Sequence, residues 1–100
     1  MSESCYLIGN YKLTNPDAYQ AYVPAVIATL KAHGVNVLVA DYESEPLEGE
    51  PLHVTVVLQF DSKSAARTWY NSPEYQEIIS LRVDNTEGFI LFADAFTMPE

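Results

Sequence analysis

Positive charge is scarce in this chain: five Lys and Arg stand against 14 Asp and Glu, a formal net charge of −9 in 100 residues. Binding to phosphate backbones or anionic lipid needs clustered cations. No basic patch is present, so neither nucleic acid nor a membrane is expected as a partner. Cysteine occurs once, as Cys5. A lone thiol excludes an internal disulfide and suits a reducing compartment. Cys5 lies in an apolar run without a nearby base or a Cys-x-x-Cys pattern, so it reads as a small buried hydrophobe rather than a nucleophile. The two histidines, His33 and His53, fall on different elements and show no metal-ligand spacing. A Gly-rich phosphate loop and a Gly-x-Ser-x-Gly elbow are both missing, and no flavin or nicotinamide seat is recognisable. No metal and no cofactor are therefore expected. The opening run MSESCYLIGN lacks the basic and apolar regions of a signal peptide. No apolar run approaches the about 18 residues that cross a bilayer. The expectation is a soluble, cytoplasmic protein.

Apolar side chains are plentiful, at 48% of the chain. The length fits a single domain over residues 1–100 with a core of about 5–97. A domain of this size buries only about two-thirds of its unfolded surface, so oligomerisation would add useful burial. Acids concentrate at Asp41, Glu43, Glu45, Glu48 and Glu50, which reads as a solvated rim or an acidic docking surface.

Changes of apolar period mark the elements. Residues 5–13 read as a strand. Asn15 as N-cap and Pro16 at the first helical position open a helix that Gly34 closes. Tyr19, Tyr22, Val23, Val26, Ile27 and Leu30 make its apolar face. Pro24 is expected to kink it. Strands follow at 36–43 and 52–60, and a helix runs from Asp61 or Ser62 to about Tyr70. In the run WYNSPEYQ, Ser72 before Pro73 is a strong helix start, so one helix ends near Asn71 and another begins at Pro73. That second helix carries Tyr75, Ile78, Ile79 and Arg82 on one face. Residues 87–96 form the last strand. The order β-α-β-β-α-β is the α+β, ferredoxin-like plait: a four-stranded antiparallel sheet with the helices on one face.

Strand side chains alternate between faces. Val54, Val56, Leu58 and Phe60, with Leu38, Ala40 and Tyr42, are assigned to the helices. Tyr6, Ile8, Asn10, Val37, Val39, Asp41, His53, Thr55, Val57 and Gln59 are left for the other face. In the last strand both parities are apolar. A solvated face would be mostly polar, and no element remains in the chain to cover this one. A second copy is the expected cover, giving a homodimer with its sheets face to face.

Candidate chemistry is thin. In a dimer, Asn10, Asp41, Thr55, Gln59 and His53 would line a space between the sheets. A symmetric hairpin sets Glu43 opposite His53 with Asp41 diagonal to it. A carboxylate beside an imidazole orients a general base, which makes Asp41 and His53 the catalytic candidates, although such a pair also reads as a cross-strand ion pair. Arg82, among apolar positions, reads as a partner for an anionic ligand or as a helix C-cap. Trp69 and Tyr75 read as ligand walls or as core.

The runs NPDAYQAYVPAV, HGVNVLVAD, LEGEP, AARTWYNSPEYQEIISLR and EGFILFADAF resemble the domain-of-unknown-function family numbered 1330, over about residues 5–97. That family lies within the dimeric α+β barrel superfamily. The resemblance implies candidate positions at Asp41, Glu48, Gly49, Trp69, Tyr70, Ser72, Tyr75 and Arg82. It departs at Gly34-Val35, where many relatives carry Gly-Gly, and at His53, where many carry arginine. The reading that results is a small homodimer binding an apolar or aromatic metabolite between sheet and helices. Trp69, Tyr70, Ser72, Tyr75, Arg82, Glu48 and Asn10 are its ligand-binding candidates. By analogy of fold it is a cofactor-independent monooxygenase or isomerase, with Asp41 or His53 as base; the alternatives are a non-catalytic sensor module and a purely structural dimer.

Overall fold

The computed structural model describes residues 4–99. Strand β1 (Cys5–Leu13) is followed by helices α1 (Pro16–Tyr19) and α2 (Tyr22–Ala32), then by strands β2 (Asn36–Asp41) and β3 (Val54–Phe60). Helices α3 (Lys63–Tyr70), α4 (Pro73–Gln76) and α5 (Ile79–Val83) lead into β4 (Thr86–Asp94). The four strands form one sheet in the order β2-β3-β1-β4, every neighbouring pair antiparallel. This is the ferredoxin-like α+β architecture expected from the element order.

The local signals act where the sequence puts them. Asn15 Oδ1 accepts from Ala18 N–H and caps α1; Ser62 Oγ accepts from Ala65 N–H and caps α3. Gly34 ends α2 at φ +65°, a left-handed conformation open to glycine. Gly88 sits at φ +149°, where a side chain would run into Asn10 O and Tyr11 Cα of β1. Only glycine lets β4 pass this close to β1.

Three expectations change. Pro24 does not kink one long helix. It occupies the third position of α2, and the chain breaks before it, at Gln20–Ala21. Proline has no N–H to give the carbonyl four residues back, and the first turn is where that loss is tolerated. The helix after Ser72 is also split, into α4 and α5, with Ile78 at the break. Finally, β2 carries a bulge between Val37 and Val39. Val37 pairs with Leu58 and Ala40 with Val56, so Val37, not Leu38, turns to the helices. The extra residue in the bulge moves Leu38 out to solvent.

The core lies between sheet and helices. Cys5, Leu7 and Tyr11 of β1, Val54, Leu58 and Phe60 of β3, and Trp69 and Tyr75 of the second crossover are buried there. Burial raises the Cys5 thiol pKa, and the nearby Asp94 charge raises it further, so the thiol is held protonated.

On the other face of the sheet, Ile8, Val39, Val57, Phe89, Leu91 and Ala93 alternate with Asn10, Asp41, Thr55 and Gln59. Register settles the parity of β4: Ile90 and Phe92 pair with the inward Gly9 and Leu7, which sends Phe89 and Leu91 outward. Phe89 and Leu91 are 54% and 45% exposed. No helix among the described residues is long and apolar enough to cross a membrane.

Candidate functional site

A cavity of about 340 Å³ opens between the sheet and α2. Its helical wall is the apolar face read from the sequence: Tyr19 of α1 with Tyr22, Val23, Val26, Ile27 and Leu30 of α2. The sheet contributes Leu7 and Tyr11, Val37 and Ala40, Val56 and Leu58, and Ile90, and Tyr42 joins them from just past the end of β2. The second crossover closes one end with Trp69, Tyr75 and Arg82. Except for five phenols, the Trp69 indole and one guanidinium, the wall is hydrocarbon.

The phenols form two hydrogen-bonded groups. Tyr22 Oη and Tyr75 Oη lie 2.8 Å apart, and Arg82 Nε–H donates to Tyr75 Oη at 3.3 Å. Tyr11 Oη lies 2.8 Å from Tyr19 Oη, which in turn lies 3.2 Å from Tyr42 Oη. Each buried hydroxyl thus has a polar partner, as burial requires. Desolvation raises the pKa values of Tyr11, Tyr19 and Tyr22, and for Tyr19 and Tyr22 the neighbouring phenols add to the effect. These groups are neutral hydroxyls at physiological pH. Burial opposes the charge of Arg82, but the phenols of Tyr75 and Tyr22 outweigh it and hold the guanidinium charged. Among the described residues, the ion pairs join Lys12 to Glu87, His33 to Glu74 and Lys63 to Asp94, and none involves Arg82.

The segment around Pro73 holds this end of the cavity in place. Ser72 Oγ–H donates to Trp69 O at 2.7 Å, and Ser72 Oγ accepts from Tyr75 N–H at 3.3 Å. The Trp69 and Tyr75 ring centroids are 4.1 Å apart, and the two side chains are 1% and 0% exposed. Trp69 Nε1–H donates to Thr29 Oγ1 at 3.0 Å, which ties the ring to α2. WYNSPEYQ is therefore both core and cavity end.

The structure brings Trp69, Tyr75 and Arg82 together at the cavity. It does not bring the other candidates there. Ser72 is a buried cap. Tyr70 packs edge-on against Phe92, beside a smaller hollow under β4. Glu48 and Gly49 lie exposed in the connection after β2. Asn10, on the open face, clamps β1 to the entry of β3: its Nδ2 donates to Leu52 O and Val54 O, and its Oδ1 accepts from Leu52 N–H. His53 and Asp41 are both exposed and outside the cavity wall. His53 Nδ1–H donates to Tyr42 O, and its Nε2 accepts from Leu13 N–H, so backbone groups occupy both ring nitrogens. Asp41 Oδ1 accepts from Glu43 N–H at 2.8 Å. Among the described residues, no group of three or more His, Cys, Asp or Glu side chains is arranged to hold a metal.

Sequence reading missed the tyrosines as a polar set. By spacing alone, Tyr19 and Tyr22 read as members of the apolar helix face. The signal was the hydroxyl itself, since a phenol in the middle of a buried face must find a partner.

Against known proteins, the chain matches the family model "Domain of unknown function (DUF1330)" over residues 4–96. No curated protein matches it. Solved structures with a similar fold include the RPA0582 protein of unknown function from Rhodopseudomonas palustris, at TM-score 0.78 and 16% identity, covering 98% of this chain and 86% of that one. SnoaB, a cofactor-independent oxygenase from Streptomyces nogalater, is similar at TM-score 0.69 and 10% identity, covering 99% and 100%. A dimeric protein of unknown function with a ferredoxin-like fold from Bacteroides fragilis is similar at TM-score 0.63 and 12% identity, covering 92% and 96%.

Proposed function

We propose that this chain, which belongs to the DUF1330 family, binds a small, largely apolar or aromatic molecule between its sheet and its helices. The observation that carries this reading is the cavity of about 340 Å³, walled by hydrocarbon with a few polar groups gathered at its ends. Small-molecule sites have this form: mostly apolar, about 300–1,000 Å³, with a small number of placed polar groups that set orientation. A packed core of this size would close such a void, because unfilled volume costs contacts on every side.

The working form we propose is a homodimer joined through the open sheet face. Phe89, Leu91, Val39 and Val57 favour it, because a contiguous exposed apolar face marks an interaction surface. The dimeric Bacteroides fragilis protein of similar fold supports it too.

A catalytic reading draws on the likeness in fold to SnoaB, a cofactor-independent oxygenase. Such chemistry needs a group that accepts a proton from the substrate. The cavity's Tyr11, Tyr19 and Tyr22 hold their protons, and Arg82 holds its charge. Asp41 or His53 would have to supply the base from outside the wall. Binding without turnover accounts for the cavity as it stands, and is the reading preferred.

The test is a thermal-shift screen of small aromatic and aliphatic compounds on the wild-type protein and on Val26→Trp and Ala40→Leu, which fill the cavity. Stabilisation of the wild type that both variants lose supports the reading. Stabilisation retained by both folded variants contradicts it.

A further inference from the structure

The polar groups of the cavity can be counted as donors and acceptors. Tyr22 and Tyr75 share one hydrogen bond and own two hydroxyl protons, so whichever of them donates, one phenolic O–H of the pair is left over. Arg82 Nε–H already takes a lone pair on Tyr75 Oη. The guanidinium is a pure donor with five N–H groups; Tyr75 and Tyr22 are its side-chain hydrogen-bond partners, and among the described residues no ion pair involves it. Two phenolic oxygens do not occupy five donors, so part of the N–H fork is left for whatever enters. Among the described residues, no carboxylate lines the cavity. At the Arg82 end the wall thus offers a fork of charged N–H groups and a spare phenolic O–H, with no anion to meet them.

A charge kept beside an apolar cavity without a carboxylate partner is costly unless something pairs with it. The planar fork of arginine matches the two oxygens of a carboxylate. We infer that the ligand of this cavity is an organic acid, its apolar or aromatic body against α2 and its carboxylate on Arg82 and the Tyr22–Tyr75 pair. This rests on the cavity being a ligand site and adds the chemical class. It also runs against the field of the whole molecule: at a net charge of −9 the protein attracts cations in general. A preference for an anion must therefore come from the local donors.

Three probes of one shape separate the possibilities: 2-naphthoate, 2-naphthamide and 2-naphthylmethylamine, titrated calorimetrically at neutral pH. Expected is binding of 2-naphthoate about tenfold or more tighter than the amine, with the amide between them. Arg82→Met should cost 2-naphthoate about tenfold and leave the amide within about twofold. Tyr22→Phe, which keeps the ring and so protects folding, should weaken 2-naphthoate severalfold and spare the amine. Equal or tighter binding of the amine, or a preference for 2-naphthoate that survives both substitutions, overturns the inference and leaves the ligand site standing. Failure of all three probes to bind overturns the ligand site, and this inference with it.

Discussion

Arg82 Nε–H donates to Tyr75 Oη at 3.3 Å, joining α5 to α4 across the break at Ile78. Tyr75 passes the contact on to Tyr22 of α2 at 2.8 Å. One phenol therefore links the two crossovers. Tyr75→Phe removes an acceptor from a charged donor and a partner from a buried hydroxyl. The expected loss is about 1.5–3 kcal/mol of stability in urea unfolding. In a double-mutant cycle with Arg82→Met, the two changes should couple by about 1 kcal/mol, because one interaction is removed twice. Additive losses would show that the contact carries no energy.

Thr29 is the polar anchor of the Trp69 ring. Its Oγ1 accepts from Trp69 Nε1–H at 3.0 Å, and its own hydroxyl donates to Val26 O at 2.8 Å. Thr29→Val keeps the shape and strands a buried indole N–H. The expected cost is about 1–3 kcal/mol, with a change in Trp69 fluorescence of the folded state. Thr29→Ser keeps the hydroxyl, and the emission should stay that of the wild type.

Alkaline pH acts on the buried tyrosines. Burial holds the folded-state pKa values of Tyr11, Tyr19 and Tyr22 above the ordinary phenol value of 10. Above about pH 10 the unfolded chain loses phenolic protons that the folded chain keeps. The stability these groups contribute is whole below that pH and falls above it. The slope is up to about 1.4 kcal/mol per pH unit for each raised tyrosine. Urea midpoints at pH 9, 10 and 11 should decline steeply, and less steeply in Tyr22→Phe, which has one such group fewer.

The open sheet face makes its own prediction. Val57 sits in β3, beside Ile8 of β1 and Val39 of β2. Val57→Lys puts a charge at the centre of the proposed dimer contact, where an unpaired buried charge is not tolerated. Light scattering at micromolar concentration should report a dimer for the wild type and a monomer for the variant. A monomeric wild type would end the dimer proposal.

Most of the architecture is local and was readable. The N-cap at Asn15, the C′ glycine at Gly34 and the Ser72-Pro73 start depend on neighbours in the chain, and they stand where the sequence puts them. Long-range features were not readable. The bulge at Leu38 arises where β2 aligns with β3, and it reversed the faces of Val37 and Leu38. The break at Gln20–Ala21 depends on where Pro24 falls in its turn. At the site, Trp69, Tyr75 and Arg82 were legible because one segment carries all three. The Tyr11–Tyr19–Tyr42 and Tyr22–Tyr75 groups were not, since each joins residues from different elements that only the fold brings together. Asp41 and His53 were drawn from hairpin symmetry, which fixes opposition across strands and says nothing of what each side chain bonds.

The most direct test of the ligand site is a two-dimensional amide NMR titration of the isotope-labelled protein with 2-naphthoate. Saturable shifts are expected, centred on Tyr22, Val26, Tyr42, Tyr75 and Arg82, with Ile8, Val57 and Leu91 of the opposite face unmoved. Shifts centred on Ile8, Val57 and Leu91, or a spectrum unchanged at millimolar probe, would contradict it.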